Sequence, residues 1–352
     1  TLTVNKAIPT IGSIAPITKT FGDAAFNLTA PTSNSTGAFS YASSDSNVVS
    51  IIGTTVTIVG AGTATITASQ AGDANYDPRS VTTTITVNKA VATLSAMTAV
   101  TKNFGDASFN LVVPTSAATG AITFASSNTN VATINGNTIS IIGAGTTTIT
   151  ATQATDSNYL EATTSTTLTV NKIAPSLGSM TVISKTFGDA NFTITPPSTN
   201  STGAFAYTSS DTNVATITGD VVSIVGAGTA TISVAQATDS NYLAAATSVS
   251  LTVNKAPVVF GTTTAITKNY GDADFMLTPP QTNSTGTFTY SSNNPSIATI
   301  NGNLVTIQGI GTTTITVNQA TAANYLSGST TISLVVNKTL PIIGSIAPIT
   351  KT

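Results

Sequence analysis

The sequence has no Cys, no His and no Trp, and it holds a single Arg (Arg79) and a single Glu (Glu161). Without Cys there is no disulfide, no thiolate nucleophile and no zinc–thiolate site. Without His there is neither Ser-His-Asp nor Cys-His chemistry and no imidazole metal ligand. No side chain has an unperturbed pKa between about 5 and 8, which argues against a simple pH switch. One Glu leaves a paired-carboxylate glycosidase to be built from Asp alone. Charged residues make up 7% of the 352, and the net charge is −2. Ordinary soluble chains carry about 25%, and nothing here offers a basic surface to nucleic acid. Mean hydropathy lies on the apolar side of zero, yet no apolar run approaches the roughly 18 residues of a membrane-spanning helix. No initiator Met or signal-peptide pattern stands at Thr1, so the chain reads as part of a longer one. The expectation is a protein that is not an enzyme, with no catalytic, cofactor-binding or metal site and no cofactor.

What is present is one period. Val-Asn-Lys ends at Lys6, Lys89, Lys172, Lys255 and Lys338, each 83 residues from the last. The same spacing holds for Phe21-Gly22-Asp23, Phe104-Gly105-Asp106, Phe187-Gly188-Asp189 and Tyr270-Gly271-Asp272. It holds again for Gly60-Ala61-Gly62 and its copies at 143–145, 226–228 and 309–311, and for Asn75-Tyr76, Asn158-Tyr159, Asn241-Tyr242 and Asn324-Tyr325. No insertion separates the copies, and residues 343–352 repeat residues 11–20. Solenoid repeats run about 20–50 residues, so a period of 83 suits a small domain with its own core. The expected boundaries are 1–6 as the end of a preceding repeat, then 7–89, 90–172, 173–255 and 256–338, with 339–352 opening a fifth.

Within a repeat the pattern is period 2 and rich in Thr, Val and Ile, as half-buried strands require. Phe26/Leu28, Phe39/Tyr41, Val49/Ile51, Val56/Ile58, Ala64/Ile66 and Val81–Val87 alternate with polar neighbours, and Ser/Gly/Asp clusters separate them. With a first strand near Ile14–Thr20, seven short strands argue for an all-β, antiparallel, immunoglobulin-like sandwich. Strands of 7–9 residues would make each sandwich about 40 Å long and an elongated array of four on the order of 150 Å. Val-Asn-Lys-Ala joins copies with no Gly/Ser linker, which argues for restricted bending. With so little charge, edge protection must come from short edges, Pro and twist.

The run Tyr207–Ile217, with Gly219, Val222, Ile224 and the segment Gly226–Ile232, resembles bacterial Ig-like domains of group 2. All four copies carry a version of it. The Lys-Thr-Phe-Gly-Asp-Ala and Asp-Ser-Asn-Tyr segments are similar to repeats of very large secreted surface proteins of gliding Bacteroidota, the SprB-type gliding adhesins. That resemblance implies an extracellular, cell-surface filament or stalk exported by type IX secretion and serving adhesion or gliding motility. Its implied partners are adjacent repeats of the same chain, the motility or secretion machinery, and an external surface or glycan reached through other parts of the protein. It implies no nucleic acid and no membrane span within these residues. A repeated glycan- or surface-binding module acting by multivalency is the alternative, as is an accessory array on a secreted enzyme.

Several repeated residues invite a sharper reading. Lys19, Lys102, Lys185 and Lys268 share strand parity with an apolar face and suggest Lys–Asn isopeptide bonds with Asn75 and its copies; a snorkelling Lys at a kinked strand end is the plainer expectation. Asp23, Asp106, Asp189 and Asp272 suggest calcium, against a Gly-Asp turn. Gly-Ala-Gly lacks the Lys-Ser/Thr of a phosphate loop and reads as a tight turn. Tyr76 and its copies suggest stacking on sugars, against a hydroxyl-bonded sandwich corner. Asn34, Asn200 and Asn283 match the glycosylation sequon, as chance allows in so Ser/Thr-rich a chain.

Overall fold

A computed structural model describes residues 1–347. The chain divides into two compact units, Thr1–Ile173 and Ala174 onward, and each holds two of the repeats. The opening of the fifth repeat is described only to Ala347, so the remainder of the segment matching residues 11–20 lies outside the described residues.

In the first repeat the seven strands are β1 (Ile17–Thr20), β2 (Phe26–Asn27), β3 (Phe39–Ser43), β4 (Val49–Ile52), β5 (Thr55–Ile58), β6 (Gly62–Gln70) and β7 (Arg79–Asn88). They form a four-stranded sheet, β1-β7-β6-β3, packed on a three-stranded sheet, β2-β5-β4. The pairing is antiparallel apart from β1, which runs parallel to β7 in the register Ile17↔Ile85 and Lys19↔Val87. The second repeat of this unit repeats both sheets. The second unit does so twice, with Ile183–Thr186 and Ile266–Asn269 as the parallel edges. The fold is a tandem set of immunoglobulin-like sandwiches.

Alternation explains the layers. Along β6, Ala64, Ile66, Ala68 and Gln70 are buried and Thr63 and Thr65 face outward. Along β7, Thr83, Ile85 and Val87 are buried while Thr82 and Thr84 are exposed. Cross-strand partners on the outer face are therefore hydroxyls, as in Thr63↔Thr86, Thr65↔Thr84 and Thr67↔Thr82. This covers the sheet without ions. Each repeat has its own aliphatic core; in the first, Ile66 and Ile85 lie fully buried among Leu28, Val49, Val56 and Val87. The aromatics Phe21, Phe26 and Tyr41 stand at its margin, half-buried.

Two expectations need correction. The first strand begins at Ile17 rather than Ile14, because Pro16 cannot donate to a ladder. Strands of 7–9 residues are not typical: β6 and β7 have 9 and 10 residues, while β2 has 2 and the other four have 4 or 5. The short ones include every edge strand, so little unpaired backbone is offered to a neighbour.

Candidate functional site: the joint between successive repeats

The conspicuous construction lies where one repeat meets the next inside each unit. It begins with the Asn-Tyr loop. In the second repeat the Asp156 N–H donates to Tyr159 O at 3.0 Å, and the Thr155 hydroxyl donates to the same carbonyl at 2.8 Å. The Asp156 carboxylate accepts the Asn158 and Tyr159 N–H groups at 2.8 Å each, and through its other oxygen the N–H and hydroxyl of Thr119 at 2.7 and 3.0 Å. Lys89, the Lys that closes the first repeat, donates to Asp156 O at 2.5 Å. Ala90-Val91 then pairs, in parallel, with Tyr159-Leu160. The loop is thus fixed from behind by the chain that leads into its repeat.

So held, the loop points Asn158 and Tyr159 at the preceding repeat. Asn158 Oδ1 accepts the Ala61 N–H at 2.9 Å, closing the middle of the Gly60-Ala61-Gly62 turn. The Tyr159 ring meets Phe21 edge to face, with centroids 5.4 Å apart and planes at 83°, a favoured aromatic geometry. Gly60 is required by the closeness of approach. A Cβ there would stand 2.6 Å from the Asn47 carbonyl oxygen and 3.3 Å from Asn158 Oδ1. The second unit builds the same joint: the Ala227 N–H donates to Asn324 Oδ1 at 2.8 Å, and Phe187 meets Tyr325 at 5.5 Å and 81°. There Lys255 donates to Ala322 O at 2.7 Å and the Ala322 N–H to Tyr325 O at 3.0 Å.

The carboxylate brace sets the electrostatics. Hydrogen bonds from the Thr119 backbone, then from Asn158 and Tyr159, bring Asp156 down to about 2 from the ordinary 3.8. Asp73 and Asp239 are lowered for the same reason, with the Thr36 and Thr202 backbone N–H groups as the leading causes. In the fourth repeat Ala322 stands at this position and supplies no carboxylate.

The other repeated residues resolve as follows. The Lys19 ammonium sits over the Phe26 ring at 4.9 Å, and Lys102, Lys185 and Lys268 sit over Phe109, Phe192 and Phe275 at 4.8–4.9 Å. These are half-buried cation–π pairs on the rim, and the structure gives each ammonium a ring rather than an Asn. Asp23 closes the turn after β1: its Oδ2 accepts the Thr20 N–H at 2.9 Å, its own N–H donates to Thr20 O, and Gly22 between them has φ +93°. Asp106, Asp189 and Asp272 do the same to Asn103, Thr186 and Asn269. Among the described residues no cluster of three or more His, Cys, Asp or Glu could hold a metal ion, and no helix is long and apolar enough to cross a membrane. The sequon residues Asn34, Asn200 and Asn283 are exposed. Their side-chain oxygens accept the N–H of Thr10, Ser176 and Val259 at 2.8–2.9 Å, fastening the opening segment of each repeat. Tyr76 accepts a hydrogen bond from Asn34 Nδ2 at 3.3 Å, close to the expected corner role. Tyr159 and Tyr325 instead serve the joint.

A family model described as intimin, immunoglobulin-like domain matches residues 281–321, from the loop before the strand Phe288–Ser292 through the strand Gly311–Gln319. No curated protein matches the sequence. Among solved structures, Drosophila N-cadherin EC1-4 is 10% identical, with a TM-score of 0.27 over 94% of this chain and 100% of that one. Sidekick-1 immunoglobulin domains 1-5 are 11% identical, with a TM-score of 0.31 over 94% and 81%. The titin I-band fragment I67-I69 is 16% identical, with a TM-score of 0.32 over 71% and 99%. These are likenesses of fold.

Sequence reasoning missed two sets of residues. The first is the Asn158-to-Ala61 and Asn324-to-Ala227 pairing, since each partner looks complete within its own repeat. The second is the buried Gln that ends β6. Gln70 is 2% exposed and donates to the carbonyls of Ser35 and Gly37 at 3.0 and 2.9 Å. Gln153, Gln236 and Gln319 do likewise. The available signal was parity: each Gln falls on the inward phase of its strand.

Proposed function

We propose that this chain is a structural, load-bearing segment of a large secreted cell-surface adhesin, a stalk or filament that gives reach for surface attachment. The observation that carries the reading is the joint. Within each unit the two sandwiches, each with its own core, are tied by an interlocked Asn-Tyr loop rather than left on a free linker. In a load-bearing array, serial sandwiches yield one at a time and the ties limit bending between neighbours. The domains of the reading are 7–89, 90–172, 173–255 and 256–338. The gliding-adhesin assignment, SprB-like with type IX secretion and an extracellular location, rests on the Lys-Thr-Phe-Gly-Asp-Ala and Asp-Ser-Asn-Tyr resemblance. So do the motility machinery and external surfaces as partners. Single-molecule pulling tests the mechanical claim. The expected trace has four separate unfolding events, each releasing up to about 300 Å of chain. Concerted collapse of the whole chain in one event contradicts it.

A second reading, a weak glycan- or surface-binding module multiplied by copy number, has one observation in its favour. A groove bordered by the Lys–Phe pair recurs in two repeats, with Met97, Lys102 and Phe109 and with Met180, Lys185 and Phe192, and a related groove in the fourth repeat is bordered by Thr264, Ile266 and Met276. Retention of this chain on a glycan array, lost on changing Lys102 and Lys185 to Ala, would favour this reading over the stalk.

A further inference from the structure

Both joints stand where tension would leave a repeat. In the first repeat β1 is the first strand the chain enters and β7 the last it leaves. The two are parallel neighbours, with Thr20 opposite Asn88. Tension applied at the start of β1 and the end of β7 slides one strand along the other and loads the hydrogen bonds between them together. At the exit end that ladder closes with the Phe21 N–H donating to Asn88 O at 2.8 Å. On its other side β7 is flanked by the start of β6, with Gly62 opposite Val87. The exit end of β7 is therefore held between Phe21 and the Gly60-Ala61-Gly62 turn.

Those are the two groups that the second repeat grips. The Tyr159 ring packs against Phe21, and Asn158 Oδ1 accepts the Ala61 N–H. One loop thus bridges both neighbours of β7 at the point of load. The connection has no slack: Lys89 alone separates Asn88 from Ala90, whose own N–H donates to Asn158 O at 2.9 Å. Tension reaches β7 and the docked loop together, without first drawing the two repeats apart. The second unit is built alike. The Phe187 N–H donates to Asn254 O at 2.8 Å, Gly228 lies opposite Val253, and Tyr325 and Asn324 grip Phe187 and Ala227. Lys255 alone separates Asn254 from Ala256, whose N–H donates to Asn324 O.

We propose that the docked loop is a buttress for the repeat before it: within each unit the first repeat keeps its full resistance to force only while the second is folded. The inference rests on the load-bearing reading above and says which residues govern the load. Equilibrium coupling is shared by both repeats, but the contacts lie on the load-bearing ladder of the first alone. In the second repeat that ladder pairs Val100–Asn103 with Leu168–Asn171, about 20 Å along the strand from the end that the loop joins.

Force-clamp pulling of the whole chain, compared with the double variant Tyr159→Ala/Tyr325→Ala, tests it. Two of the four unfolding events are expected to come about 2- to 12-fold sooner at the same force, the factor that loss of one edge-to-face ring pair implies. The other two are expected to keep their dwell times. Asn158→Ala/Asn324→Ala, which spares the rings, should shorten the same two events. Native-state hydrogen exchange reads the buttress without force. In Tyr159→Ala the Phe21 amide should exchange about 2- to 12-fold faster, while Phe187 in the untouched unit is unchanged. The Ile149 amide, in the middle of its sheet, should stay protected and so show that the second repeat is folded. Four dwell times that do not change, four that shorten alike, or a Phe21 amide indifferent to Tyr159→Ala overturns the buttress and leaves the load-bearing reading standing. Collapse of the unmodified chain in one event overturns that reading and the buttress with it.

Discussion

The joint in the first unit and the joint in the second make the same contacts with different support. Both place an Asn oxygen on the middle N–H of the Gly-Ala-Gly turn and a Tyr edge against a Phe. Behind the first stands Asp156, bonded to its own loop and to Thr119. Behind the second stands Ala322, which offers no carboxylate to its own loop or to the neighbouring Ser284–Thr285 segment. The difference separates shape from stiffness. Shape comes from what the two share: the backbone bond from residue 156 or 322 to the Tyr carbonyl, the Thr hydroxyl on the same carbonyl, and the Lys from the preceding strand. The carboxylate adds a tie to a second loop, which the fourth repeat does without.

The largest effect should come from removing the ring that both joints use. Phe21→Ala and Phe187→Ala are each expected to destabilise their own unit by about 2 kcal/mol, below the full cost of a core Phe because each ring is half-buried. Denaturant melts would measure it. Double-mutant cycles with Tyr159→Ala and Tyr325→Ala should return similar couplings of about 1 kcal/mol. Unequal couplings would mean that the carboxylate reaches the ring contact after all.

The two joints can next be exchanged. Asp156→Ala should speed hydrogen exchange at the Thr119, Asn158 and Tyr159 amides and leave Asn324 and Tyr325 unchanged. Ala322→Asp should slow exchange at Thr285, Asn324 and Tyr325, whose N–H groups match those that Asp156 binds. If Ala322→Asp changes nothing, the brace depends on more of the loop than that one position.

Acid offers the same contrast without mutation. The Asp156 carboxyl is held below its ordinary value, so its stabilisation is fully present above about 3.8 and is lost as pH falls through about 2. Protection at Asn158 and Tyr159 should therefore fall in that window relative to Asn324 and Tyr325, which lack the carboxylate. Parallel pH profiles for the two loops would contradict the assignment.

The smallest effect concerns a hydroxyl. Tyr41 OH is buried with no partner among the described residues, and burial raises its pKa. The second repeat carries Phe124 at the same place. Tyr41→Phe should be neutral or stabilising by up to about 1 kcal/mol in a melt. A clear loss would reveal a partner for that oxygen.

Much of the fold was legible because its determinants are local. Period-2 runs such as Gly62–Gln70 fix which face is buried, and Gly22-Asp23 is a turn wherever it occurs. The parallel pairing of β1 with β7 was not legible, since parity is the same for a parallel and an antiparallel neighbour. Gln70 was passed over because a polar residue at a strand end reads as exposed until its carbonyl partners are placed. The joint was the least legible part. Phe21 and Tyr159 belong to different copies, and a motif present in every repeat does not say whether it serves its own repeat or the one before. The readings of Lys19 and Asp23 as isopeptide and calcium residues looked inside a single repeat, where those side chains find a ring and a turn.

The central claim is that the two repeats of each unit are tied through the Asn-Tyr loop, and the Ala61 amide reports it directly. In native-state hydrogen exchange the Ala61 and Ala227 N–H groups are expected to be protected, and Asn158→Ala and Asn324→Ala should each release its own partner alone. Ala61 and Ala227 exchanging as fast as amides of an unstructured peptide in the unmodified chain would mean that the joints are open and the account is wrong.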